Sequence, residues 1–281
     1  MLRGRLGIDA ARIPQKSRNG LVYLERCRLS IDNGSLVVAF DDAGREFELP
    51  YQRLNAILLG PGTTVTHDAV RHCLAHGTCL AFVGTDGTRI YSAPPVFERD
   101  STLARRQATY WASETTRVMV AKRMYAKRFG DTPRSNSLDA LRGMEAARIK
   151  AAYGLLAKQI GVVWGGRNYD RANPTAGDLP NQAINHAVTA LEACVTIAVQ
   201  ATATLPPLGF LHEDSAKSWI LDLCDLYRTS VTVPIAFRCV KEHQQRPGDP
   251  LDRQVRRAIS RHVRENELVD KIIDDVKELL V

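Results

Sequence analysis

Asp222 and Asp225 lie in the run Ser218-Trp219-Ile220-Leu221-Asp222-Leu223-Cys224-Asp225-Leu226-Tyr227-Arg228. Their i,i+3 spacing puts both carboxylates on one side of a helix, a turn apart. The Trp, Ile and Leu residues around them make that helix mostly buried, and acids inside such a helix are costly unless paired or bound to a cation. Two readings follow: a cation site, or salt bridges to arginines of the basic helices upstream. His212, in Leu208-Gly209-Phe210-Leu211-His212-Glu213-Asp214, precedes the helix in a short apolar stretch and can turn back toward the carboxylates. A histidine in such surroundings can equally be a satisfied core residue. Glu145, in Leu141-Arg142-Gly143-Met144-Glu145-Ala146-Ala147-Arg148, has Arg148 at i+3, and that pairing alone would leave it a surface ion pair. In combination, two or three carboxylates with one imidazole form a hard, oxygen-rich ligand set. It suits Mg²⁺ or Mn²⁺ better than Zn²⁺, and such cations neutralise charge building on a phosphodiester.

Charge points to the same chemistry. The 281 residues hold 38 Lys/Arg against 31 Asp/Glu, a net +7. Residues 105–150 alone hold eleven Lys/Arg, Arg142 and Arg148 among them, and four acids, so the remainder is balanced. A concentrated basic segment attracts a polyanion, most often nucleic acid, unless it is simply a solvated helix face. The composition, 44% hydrophobic and 25% charged, is that of a soluble globular protein. No apolar run approaches the roughly 20 residues that span a bilayer, and residues 1–15 lack the apolar segment of a signal peptide. A cytoplasmic protein without a membrane partner is expected. Its six cysteines, with no C-x-x-C pair, read as free core residues.

The elements that must position these residues fall into two parts. Up to about residue 95 the chain reads as strands: 21–24 and 35–40 flanking Asp32-Asn33-Gly34, whose Asn-Gly supplies the positive φ angles of a tight turn. A second turn at 41–44, strands at 46–49, 56–59 and 79–83, a short helix at 68–75, and a turn at Asp86-Gly87 into 89–91 complete a small β-sandwich or split barrel. Prolines at 94 and 95 mark the boundary. Beyond it, helical periodicity runs through 102–129, 137–160, 182–203, 215–228, 234–243, 251–264 and 266–280, with residues 165–179 as a loop. The expected fold is α+β: an N-terminal β-rich domain, 1–95, followed by a larger all-α catalytic domain, 96–281. His67, His72 and His76 form a rival cluster with His72 and His76 on one helix face. Cys73 stands where an H-E-x-x-H motif needs its glutamate, so a structural or surface role is expected. No G-x-x-x-x-G-K-[ST] sequence is present.

The glutamate motif Leu141-Arg142-Gly143-Met144-Glu145, with Arg148 and Tyr153 after it, resembles that of the CRISPR-associated adaptation integrase family. Gly209-Phe210-Leu211-His212 and Asp222-Leu223-Cys224-Asp225 are similar to its histidine and paired-aspartate motifs, in the same order. Ala157-Lys158-Gln159-Ile160-Gly161-Val162, Asn168-Tyr169-Asp170, Pro61-Gly62-Thr63 with Val70-Arg71, and Gly87-Thr88-Arg89-Ile90-Tyr91 resemble the type I-E branch. The resemblance spans nearly the whole chain. It implies a β domain before a helical one, and homodimers flanking a small ferredoxin-like partner subunit. It implies insertion of short foreign DNA, the spacer precursor, into a CRISPR repeat by 3′-OH attack on a phosphodiester, without a nucleophile on the protein. By the same resemblance Glu145, His212 and Asp225 hold Mg²⁺ or Mn²⁺, with Asp222 adjacent. DNA contacts are expected from Arg89 and Tyr169, and from Arg71, Arg142, Arg148 and Arg228. The reverse reaction would cut branched DNA, so a stand-alone structure-specific nuclease is a second reading and a non-catalytic DNA-binding scaffold a third. Arg26 and Glu192 depart from the aromatic residues of some relatives, and the proline-rich tail that some relatives use against the partner is not seen before Val281. Both imply altered handling of DNA ends or of the partner.

Overall fold

Asn33 and Gly34 hold φ angles of +47° and +83°, the left-handed region that a two-residue hairpin needs. They join β2 (Cys27–Asp32) to β3 (Ser35–Phe40) in antiparallel register, Asp32 opposite Ser35 and Cys27 opposite Phe40. The strand preceding the hairpin is therefore residues 27–32, and the expected pairing of 21–24 with 35–40 is corrected. Arg26, at φ +49°, turns the chain between β1 (Leu21–Leu24) and β2 and sends β1 into a different sheet. The computed structural model describes residues 21–40, 45–54, 56–85, 90–93, 101–168, 177–246 and 248–281. The turns expected at 41–44 and 86–87 lie outside them.

One sheet, in the order β4-β3-β2-β6, adds β4 (Arg45–Leu49) and β6 (Thr64–Val65). The other, β1-β5-β7-β8, adds β5 (Ala56–Leu59), β7 (Cys79–Val83) and β8 (Ile90–Ser92), with β1, β5 and β7 parallel and β8 antiparallel. Every residue of β5 is buried, as expected for a parallel strand covered on both faces. Alternation sorts the side chains: Ile57, Leu59 and Leu80 face the other sheet and helix α1 (His67–Ala75), whereas Ala56, Leu58, Cys79, Ala81 and Val83 join the core of the helices. The sandwich is thus fused to the helical part through one sheet face.

The helical part is built around α5 (Leu179–Ala201), started by Asp178, whose side chain accepts from Asn181 N. It is the one helix among the described residues long and apolar enough to cross a bilayer, and its neighbours bury most of it. Packed against it are α6 (Ser218–Leu226), α7 (Val233–Gln245), α8 (Leu251–Glu265) and α9 (Leu268–Leu279). A π-helical turn, Arg228–Thr232, links α6 to α7. The helix expected over 102–129 is two helices, α2 (Thr102–Ala112) and α3 (Glu114–Phe129), broken at Ser113, whose φ −111° and ψ 124° are extended. The Thr116 hydroxyl donates to the carbonyls of Tyr110 and Ser113 at the break, an example of side-chain hydroxyls competing with helix hydrogen bonds. α4 (Leu138–Ile160) is capped by Ser137 and stopped by Gly161 at φ +83°. The architecture is α+β, strands first and helices after.

Candidate active site

The segment before α6 is held against that helix by one carboxylate. Asp222, fully buried, accepts the Phe210 N–H at 2.5 Å and the Leu211 N–H at 3.1 Å on Oδ2, and the His212 N–H at 2.9 Å on Oδ1. The same Oδ1 lies 2.7 Å from His212 Nδ1. An ionised carboxylate only accepts, so Nδ1 carries the proton and Nε2 is the nitrogen available for chemistry. Gly209 makes the turn possible: a Cβ there would meet the His212 carbonyl oxygen at 2.6 Å and the Ser218 backbone at 2.7 Å. Phe210 packs edge-on against Trp219 beneath the loop, ring centroids 5.4 Å apart. From α4, Arg142 donates to the Leu211 carbonyl at 3.0 and 2.7 Å, and from α3, Arg117 donates to the Phe210 carbonyl at 3.2 Å. The hydrogen bond that His212 donates to Asp222 raises the His212 pKa against the opposing effect of burial.

One turn along α6, Asp225 meets a different set of partners. α4 contributes Glu145 and α3 contributes Arg128, whose side chain is 2% exposed. The Arg128 Nη1 atom contacts Glu145 Oε1 and lies 3.8 Å from Asp225 Oδ2, so two carboxylates from two helices converge on one cationic atom. Arg228, at the end of α6, approaches Asp225 Oδ1 at 2.6 Å, but off the N–H direction, and Oδ1 takes no hydrogen bond. Arg128 Nε and Nη2 and Arg228 Nε are likewise buried without a hydrogen bond. Burial raises the Glu145 pKa, and the Asp225 charge adds to that rise against the opposing pull of Arg128.

These donors fit a hard divalent cation: two carboxylates plus an imidazole nitrogen whose ring is fixed by a carboxylate behind it, the usual support for a metal-bound histidine. Asp225 Oδ1 is ion-paired with Arg228 but takes no hydrogen bond, so an oxygen of this carboxylate has a lone pair left for a cation. As the side chains lie, no three His, Cys, Asp or Glu groups among the described residues close on one point; Arg128 stands between Glu145 and Asp225.

Other expected residues are placed as follows. Arg148 does not pair with Glu145; it pairs with Asp131 and lies over the rings of Tyr125 and Phe129 at 5.1 and 5.3 Å. The surface-pair reading of Glu145 is corrected, because α3 lies along α4 and delivers Arg128 instead. Arg142 is spent on the His212 loop and on Glu213 and Asp139. Arg228 faces Asp225, and exposed Arg71 pairs with Asp68 on α1. Arg89 and Tyr169 lie outside the described residues. His72 and His76 stack with Tyr51, ring centroids 4.6 to 5.1 Å apart. The six cysteines are buried, with the Cys73 and Cys79 thiols pushed up to about 12 by burial. Arg26 donates its backbone N–H to Pro61, and Glu192 pairs with Lys217. Sequence reading missed Arg128 as a site residue, counting it as one basic charge among eleven. The signal was there: it falls at i+4 from Met124 and i+7 from Ala121, both on the buried stripe of α3.

A strand sandwich fused to a helical body, in which two carboxylates from two helices meet one buried arginine and a further carboxylate holds a histidine ring nearby, defines a two-part α+β protein. Residues 21–132 and 125–266 match the family described as CRISPR associated protein Cas1. The chain is 36% identical over 270 residues to CRISPR-associated endonuclease Cas1 1 of Rhodospirillum rubrum, covering 94% of this chain and 85% of that protein. It is 34% identical over 269 residues to CRISPR-associated endonuclease Cas1 of Escherichia coli K12, covering 95% and 87%. Its fold superposes on the crystal structure of a TtCas1–DNA complex with a TM-score of 0.80 at 30% identity, over 94% of this chain and 97% of that one. The chain belongs to the Cas1 family.

Proposed function

We propose that this chain is a metal-dependent DNA integrase and endonuclease that inserts short foreign DNA into a CRISPR array. The observation that carries the reading is the convergence of Glu145 and Asp225 on one buried cationic atom beside His212, itself fixed by Asp222. Membership of a family whose members are named endonucleases, and the likeness to a protein solved with DNA, supply the substrate class.

Glu145, Asp225 and His212 Nε2 would hold Mg²⁺ or Mn²⁺. Such a cation, when bound, offsets the charge that builds on the attacked phosphate. Asp222 keeps the imidazole in the tautomer that leaves Nε2 free. In the reaction, the 3′-OH of the incoming strand forms a new P–O bond as the repeat's own P–O3′ bond breaks. The count of phosphodiester bonds is unchanged, so no energy source and no nucleophile on the protein are needed. Arg228, paired with Asp225, would be the nearest cation to a phosphate held at that carboxylate. The type I-E branch rests on the motifs at 157–162 and 168–170. The family resemblance brings a homodimer and a small ferredoxin-like partner subunit, and the composition and hydropathy of the sequence support a cytoplasmic location.

The test is joining of a short duplex to a repeat-bearing plasmid by the chain with its partner subunit. Glu145→Gln and Asp225→Asn should each lower joined product by roughly 100-fold or more while duplex binding stays within about twofold, and a chelator should stop the wild type. Full activity in Asp225→Asn would sink the site. Cleavage with no joined product would favour a stand-alone nuclease. The scaffold reading predicts instead that Glu145→Ala and Asp225→Ala destabilise the fold and that no divalent-metal dependence is seen.

A further inference from the structure

A buried charge needs an opposite charge at all times, not only when a ligand is present. Glu145 and Asp225 come from α4 and α6, and without compensation their repulsion would push those helices apart. Arg128 compensates both, with Arg228 beside Asp225. The Arg128 Nη1 serves both carboxylates at once, yet its Nε and Nη2 make no hydrogen bond, and Asp225 Oδ1 takes none either. A guanidinium committed to a structural pair engages a carboxylate through two nitrogens; this one uses a single nitrogen as a point charge. Glu145, Asp225 and Asp222 against Arg128 and Arg228 sum to one negative formal charge, so a divalent cation entering that cluster would leave it with one positive charge in excess. In a buried setting that excess opposes binding strongly.

We infer that Arg128 is the exchangeable counter-ion of the site: it neutralises Glu145 and Asp225 while no divalent cation is bound, and it must give up that contact when one binds. The inference rests on the proposed cation reading and adds to it. Arg128 has two opposed effects, holding the cation-free fold together and lowering the affinity for the cation. A purely structural arginine would have the first effect alone, since removing it would damage the site and weaken cation binding.

Mn²⁺ binding to the full chain, read by the paramagnetic resonance signal of free Mn²⁺, separates these. Arg128→Gln should bind Mn²⁺ roughly tenfold tighter than wild type or more, as removal of one adjacent like charge requires. In chelator it should melt below wild type, and Mn²⁺ should raise its melting temperature more than that of wild type. Arg128→Lys, which keeps the charge, should bind Mn²⁺ no tighter than wild type. If Arg128→Gln loses its fold in chelator, saturating Mn²⁺ should restore the wild-type circular dichroism, and failure to restore it overturns the inference. Equal or weaker Mn²⁺ affinity in Arg128→Gln overturns the counter-ion exchange and leaves the cation reading standing. Absence of binding by both wild type and Arg128→Gln overturns the cation reading itself, and this inference with it.

Discussion

Asp222 and Asp225 stand one helical turn apart and both are buried, yet the residues around them assign opposite tasks. Asp222 spends its two oxygens on three successive backbone N–H groups and the His212 ring. Asp225 spends its oxygens on two incompletely bonded arginines. Removing Asp222 strands three backbone N–H donors, that of Phe210 fully buried and those of Leu211 and His212 partly so, whereas neutralising Asp225 leaves Glu145 still paired with Arg128. Asp222→Ala should therefore cost about 3–5 kcal/mol of stability, lowering the melting temperature by roughly 10 °C. Asp225→Asn should cost about 1–2 kcal/mol at most while removing activity. Chemical denaturation of the two variants side by side checks the contrast; equal losses would mean that Asp222 is not a purely positioning residue.

At the scale of elements, the site depends on how a loop closes onto a helix end. The 209–212 loop can reach Asp222 only because residue 209 has no side chain; a Cβ there would collide with backbone on both sides, at 2.6 and 2.7 Å. Backbone cannot step aside as a flexible side chain can, so Gly209→Ala should cost about 2–3 kcal/mol. It should also lower strand joining, because His212 is displaced with the loop. Thermal unfolding with a joining assay tests both, and a variant with wild-type values for each would show that the loop has slack. The break at Ser113 has a similar positional effect. It lets α3 take its own direction after α2, with Arg117 and Arg128 reaching the loop and the carboxylates.

Across the whole molecule, folding redistributes the charge that the sequence concentrates at 105–150. Lys127 meets Asp275 and Glu278 of α9, Arg117 meets Glu213, and Arg148 meets Asp131. Arg106 and Arg123 donate to carbonyls at the end of α9 and beyond. Much of that segment's positive charge is therefore used inside the fold. At the same time α8 turns Arg253, Arg257, Arg261 and Arg264 to solvent, cations that the sequence places outside the basic segment. The net +7 remains, and contacts to phosphate release counterions. Duplex affinity should thus fall by roughly 10- to 1000-fold between about 50 and 200 mM salt. Titration of a labelled duplex at several salt concentrations reads this directly, and a flat profile would remove the electrostatic account.

The two aspartates and the histidine were legible as candidates in the sequence because their types, their spacing and the apolar run around Asp222 and Asp225 are local properties, whereas Glu145 entered only through the family resemblance. Legible on the same local grounds were the tight turn at Asn33-Gly34, the extent of the helix over 137–160, and the order of strands before helices. Period and turn chemistry need no knowledge of distant residues. What only the tertiary structure decided are pairings between elements far apart in the chain. It placed residues 21–24 in a separate sheet from the hairpin, because the bend at Arg26 carries no propensity signal strong enough to announce it. It chose Arg128 over Arg148 as the partner of Glu145, because that choice depends on how α3 lies along α4. And it divided the two aspartates, which one helical turn makes equivalent in sequence, into a carboxylate that positions His212 and a carboxylate that faces the arginines. A buried charge is defined by what the rest of the fold brings to it, and for Asp222 and Asp225 the fold brings different partners.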